Sequence, residues 1–157
     1  MGCGTTQSPR SANDVICPSV LFSSDHGRYI GGDSQQISID NLTFEATINN
    51  AIFLDGCQLE GDNFSSNLSL LFIAQPLSTS QEIINLPFYV AVLNYNNDIL
   101  DIQYYSTTGR FQKNIETQKF EELEIRENIL ISNKNEEKRA KVVIGFMLDK
   151  KRMEILN

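Results

Sequence analysis

The chain has 157 residues, 41% of them hydrophobic. At this size folding buries about 70% of the unfolded surface, so one domain around one core is the simplest organisation. Thirteen Lys and Arg against 20 Asp and Glu leave a net charge of -7, which excludes nucleic acid as an expected partner, because phosphate neutralisation needs a clustered basic excess. The longest apolar stretches, 68–74 and 86–93, fall far short of the roughly 20 residues a membrane-crossing helix requires.

Cys3 follows Met1 and Gly2 and opens a polar stretch running from Gly4 to Arg10. Lipid-anchored proteins begin in this way, with the cysteine carrying acyl chains. Two expectations compete with that of a chance cysteine in a tail. In one, Cys3 is the first residue of a mature bacterial lipoprotein whose apolar signal region has been removed. In the other, the run from Met1 to Thr6 satisfies the N-myristoylation pattern at Gly2, with palmitate on Cys3 as a second anchor. The two place the domain on opposite sides of a membrane. With Cys3 assigned to lipid, Cys17 and Cys57 remain as an even pair, the requirement for one disulfide in an oxidising compartment; two buried free thiols are the alternative. No metal is expected, since there is no Cys-x-x-Cys pair and His26 is the sole histidine.

From position 19 to 148 the chain reads in strands. Leu42, Phe44, Ala46 and Ile48 alternate with polar residues, and Leu68, Leu70, Phe72 and Ala74 repeat the pattern, the period of a strand with one buried face. The nearly unbroken apolar run 86–93 predicts a strand covered on both faces or central in a sandwich, with Pro87 near its start. Asn96, Asn97 and Asp98 form a turn into a strand over 99–105, paired antiparallel with the one before. Segments 120–131 and 141–148 supply two more strands around a charged loop at 133–139, and Gly145 marks a bulge or a close approach. Asp149 reads as the N-cap of a short closing helix that turns Met153 and Leu156 toward the domain. The expected fold is all-β: an antiparallel two-sheet sandwich, immunoglobulin-like or fibronectin-III-like, with a short C-terminal helix and a small closed barrel as the alternative. Residues 1–14 are expected to form a flexible lipid-anchor tether and 15–157 the sandwich domain.

Motifs for chemistry are sparse, and no catalytic residue or cofactor is expected. Ser23, Ser24, Asp25 and His26 collect triad residue types on one loop, where neighbours rarely reach base-to-nucleophile geometry, so His26 is expected to be an exposed turn residue. Glu121, Glu122, Glu124 and Glu127 read as solubilising charges on both faces of a strand. Gly31, Gly32 and Asp33 lack the following helix of a phosphate loop and read as a flexible turn. Asp33, Asp40, Asp55 and Asp62 lack calcium-loop spacing, and the Asn-x-Ser/Thr triplets at Asn41, Asn63 and Asn67 are expected from composition alone. Tyr95, Tyr104 and Tyr105 are candidates for a partner contact, although alternation forbids Tyr104 and Tyr105 from both facing the core.

Cys3, the Cys17-Pro18 step, Cys57, the stretch from Leu86 to Val92 and the closing Gly145-Phe146-Met147-Leu148 together resemble small uncharacterised lipoproteins of Gram-negative bacteria. The resemblance implies lipid attachment at Cys3 and a bridge from Cys17 to Cys57, and it carries over no catalytic residue. Gly4 rather than Asp follows the anchor cysteine, which by analogy with enteric sorting favours the outer membrane. The expectation is therefore a non-enzymatic lipoprotein on the periplasmic side of the outer membrane, a binding or assembly module of an envelope complex. A dually acylated cytosolic adaptor and a hydrolase using Asp25 and His26 are the alternatives.

Overall fold

In the computed structural model the described residues are 14–15, 17–32, 36–60, 63–134 and 141–157. Cys3, Asp33, Asp62 and most of the charged loop, 135–139, lie outside them. The architecture is an all-β sandwich of two packed sheets with one short helix at its C-terminal end.

The larger sheet is built around β6 (Asn63–Pro76). One edge of β6 pairs with β9 (Leu123–Lys134) along almost its whole length. The other edge takes β4 (Phe44–Phe53) and β5 (Cys57–Glu60) end to end, with an insertion between Phe53↔Leu68 and Gln58↔Ser65 that Ser66 stitches by donating its hydroxyl to the Gly56 carbonyl at 2.7 Å. Beyond β4 lies β3 (Arg28–Gly31), and beyond β5 lies β1 (Asp14–Val15). The four-stranded sheet runs β2 (Ser19–Phe22), β10 (Lys141–Phe146), β7 (Ile83–Leu93), β8 (Ile99–Arg110). Each of these pairings is antiparallel except β2 with β10, which is parallel. β2 arrives by a crossover from the other sheet rather than by a hairpin, so nothing local dictates its direction.

Alternation sends Phe44 and Ala46 of β4, Leu70 and Phe72 of β6, Phe88 and Val90 of β7, and Val142 and Ile144 of β10 into the space between the sheets. Phe72 sits at its centre, 4.9 Å from the Phe88 ring and 5.7 Å from Phe146. The Cys17–Cys57 disulfide links the crossover segment before β2 to the first residue of β5, so it ties one sheet to the path into the other.

Several expected boundaries move. Pro87 lies inside β7 rather than at its start; its carbonyl accepts from Met147 just beyond the end of β10, so its missing N–H falls past that ladder. Phe120 precedes β9 and bridges Lys113 instead of opening the strand. Gly31 ends β3 as a buried residue rather than sitting in a loose turn: the Phe44 ring lies across it, where a Cβ would be 2.1 Å from a ring carbon. The β7–β8 hairpin turns at Asn97, with φ 67°, yet its organiser is Asn94, whose side-chain Oδ1 accepts the amides of Asn96 at 2.9 Å and Asp98 at 3.0 Å.

Candidate functional site

The four-stranded sheet has an unusual second face. An antiparallel sheet with one side in the core ordinarily carries polar residues on the other. Here register aligns Leu21, Val143, Ala91 and Ile102 in one row across β2, β10, β7 and β8. The next row holds Gly145, Tyr89 and Tyr104, and the row on the other side holds Ser19, Lys141, Leu93 and Ile99. Of these, Val143, Ala91, Ile102, Tyr89, Tyr104, Leu93 and Ile99, together with Met147, Leu148 and Met153, line an open groove of about 590 Å³. Ile99 and Tyr104 are each 62% exposed at its rim. β7 is thus an inner strand of its sheet, as its apolar run predicts, but its second face is a groove that no other layer covers among the described residues.

The closing helix α1 (Lys150–Leu156) borders the groove through Met153. None of its residues is fully buried, so polar contacts fix its position. Asp149 caps it by accepting the Arg152 amide at 2.8 Å, and the Arg152 guanidinium returns a 2.7 Å ion pair. The same guanidinium lies 4.7 Å from the Tyr29 ring centroid and donates at 2.7 Å to the Ile30 carbonyl of β3. Burial pushes the Tyr29 hydroxyl above the usual tyrosine range, and Arg152 pulls the other way.

The groove lining includes one pair of bonded polar groups. His26 Nδ1 is 3.0 Å from the Tyr89 hydroxyl, with the rings edge to face at 5.9 Å. The loop carrying His26 is held from both sides: its carbonyl accepts the Phe146 amide at 2.7 Å, and its amide donates to the Ser23 hydroxyl at 3.2 Å. Gly145, the register partner of Tyr89, makes the arrangement sterically feasible, because a Cβ there would sit 2.5 Å from the Tyr89 hydroxyl oxygen. His26 is therefore a half-buried residue bonded to tyrosine, not an exposed turn histidine, and its ring is not paired with Ser23 or Ser24.

The remaining residues singled out from the sequence are scattered. Tyr104 borders the groove, whereas Tyr95, 72% exposed, stands at the hairpin tip outside the groove lining. Tyr105 points inward and stacks on Phe88 at 5.3 Å; burial, followed by the nearby Asp101 charge, raises its hydroxyl above the ordinary range. Glu127 accepts the Thr107 hydroxyl at 2.6 Å across the corner between β8 and β9, while Glu121 is engaged by Asn114 at 3.0 Å and Glu122 by Gln75. Asn41 folds onto its own loop, bonded to the Ser38 amide and the Gln36 carbonyl. Among the described residues no group of three or more His, Cys, Asp or Glu side chains could hold a metal ion. Where β8 and β9 part, a smaller cleft of about 160 Å³ opens between the sheets beside Val92, Asp101, Gln103 and Leu130. Sequence reasoning missed Tyr89, Ala91, Ile102 and Val143 as site residues; for Tyr89 and Ala91 the signal was the apolar character of both alternating sets in 88–93. No family model, no curated protein and no solved structure matches this chain.

Proposed function

We propose that this protein is a lipid-tethered binding module of an envelope complex, anchored through Cys3 to the outer membrane on its periplasmic side and binding through the outer face of its four-stranded sheet. The observation that carries the binding role is the apolar groove on that face. Contiguous exposed apolar surface costs solubility, and monomeric domains keep it small unless something covers it. The anchor rests on the sequence around Cys3, which lies outside the described residues. The periplasmic location draws support from the Cys17–Cys57 bridge, since such bridges persist in oxidising compartments and are rare in the cytosol, where a dually acylated adaptor would work. The reading involves no catalysis: the His26 ring meets Tyr89, and among the described residues no serine or cysteine nucleophile is bonded to it. Tethering supplies the affinity that one groove lacks, by raising local concentration to about the millimolar range.

Site-specific photocrosslinking in the native cell tests this. A benzoylphenylalanine at Tyr104, on the groove rim, is expected to give a discrete adduct in the membrane fraction, and one at Asn128, exposed on β9 of the other sheet, is expected to give none. Cys3→Ser is expected to move the protein to the soluble fraction and to weaken the adduct. Equal labelling at both positions refutes the binding face, and an unchanged membrane fraction for Cys3→Ser refutes the anchor.

A further inference from the structure

Resting on that reading, we propose that the groove is a binding site for a long-chain fatty acid, with the carboxylate at His26 and Tyr89 and the chain laid along the aliphatic rows of the sheet. A neutral imidazole carries one N–H and a tyrosine one O–H, and the 3.0 Å contact between them consumes one of the two. If Tyr89 donates to Nδ1, the His26 Nε2–H is left over; if Nδ1–H donates, the Tyr89 O–H is left over. Protonating the ring adds a donor and a positive charge. In every state the pair keeps a hydrogen-bond donor for a ligand, and among the described residues that donor has no protein partner.

Among the described residues no acidic side chain lines the groove, and His26 is the basic group in its lining, with Lys141 two rows away beside Leu93. An anionic head at His26 and Tyr89 meets a donor pair and no carboxylate in the described lining. Each peptide unit brings an N–H and a C=O that need partners when covered, while the groove lining next to Tyr89 along the strands is Val143, Ala91, Ile102, Leu93 and Ile99, with Lys141 the one long polar side chain in the last row. A hydrocarbon chain makes no such demand. The volume, about 590 Å³, lies within the range of small-molecule sites, about 300–1,000 Å³. Gly145 makes the head of the site a built feature, because any larger residue would push the Tyr89 hydroxyl away from His26.

Equilibrium dialysis of the purified full chain with radiolabelled palmitate tests the proposal. Saturable binding of one palmitate per chain is expected. The His26→Phe/Tyr89→Phe double variant, which keeps ring bulk and removes the donors, is expected to weaken binding by at least about tenfold, the loss of a charge-assisted hydrogen bond. Ile102→Glu, on the edge strand where a charge disturbs folding least, is expected to abolish it with an unchanged melting temperature. Absence of saturable binding by the wild type, or wild-type affinity in both variants, overturns the proposal. So does binding to phosphatidylglycerol vesicles without binding of palmitate, which would assign the face to a membrane surface. Crosslinking at Tyr104 without palmitate binding removes the fatty acid and leaves the binding face standing; palmitate binding without any cellular adduct upholds this site and removes the envelope complex.

Discussion

Replacing Cys17 and Cys57 together by alanine removes a cross-link that closes 40 residues of chain and holds the crossover into β2 against the start of β5. In the chain-entropy treatment a loop of that length restricts the unfolded ensemble by about 13 cal/mol/K, or about 4 kcal/mol at 25 °C. A domain's whole stability is about 5–15 kcal/mol, so the bridge supplies a quarter or more of it. With a urea slope of about 2 kcal/mol/M, the unfolding midpoint of the variant is expected to fall by about 2 M, and the melting temperature by about 8–16 °C. The chain contains no tryptophan, so far-ultraviolet circular dichroism is the suitable probe. Wild-type protein unfolded in excess reductant is expected to match the variant, and the variant to ignore reductant. A midpoint shift below about 0.5 M, or a wild type insensitive to reductant, would refute the reasoning, because the loop would then not be constrained by the bridge in the unfolded state. The same result would remove the support the bridge lends to a periplasmic location.

Phe72→Ala empties the centre of the core, where the ring is fully buried against Phe88 and Phe146, and is expected to cost about 3–5 kcal/mol in urea unfolding of the oxidised protein. Gly145→Ala drives a methyl group against the Tyr89 hydroxyl, at an expected cost of about 1–3 kcal/mol. It should also break the His26 contact, visible as a shift of the imidazole signals in NMR; an unmoved imidazole would contradict the steric argument. Burial raises both Tyr29 and Tyr105 above the ordinary value near 10, so the folded state retains these protons after the unfolded chain has lost them. Stability is therefore expected to be independent of these two groups below about pH 10 and to fall as pH rises from there through their folded values. Urea midpoints at pH 9 and pH 11 check the sign, and Tyr29→Phe should flatten the fall.

The strands and their inward faces were legible in the sequence, because alternation of Phe44, Ala46 and Ile48, or of Val142, Ile144 and Phe146, is set by backbone geometry alone. The turn after β7 and the Asp149 cap were legible for a similar reason: asparagine accommodates Asn97's positive φ, and a carboxylate reaches the amide three residues on. The site was only half legible. Alternation required one of Tyr104 and Tyr105 to face outward without saying which, and the unbroken run of β7 read as cover on both faces or a central place in the sandwich, since period two sorts residues between faces without saying whether the second face meets protein or solvent.

What the sequence by itself determined is the all-β character, the inward set of side chains and the even cysteine pair, each of which depends on local spacing or on a count. Tertiary structure alone decided that β2 runs parallel to β10, that β4 and β5 share one edge of β6, and that His26 meets Tyr89 across a separation of 63 residues. Those outcomes depend on which strand edges find each other, and edge pairing is made of backbone hydrogen bonds that every residue other than proline offers in the same way.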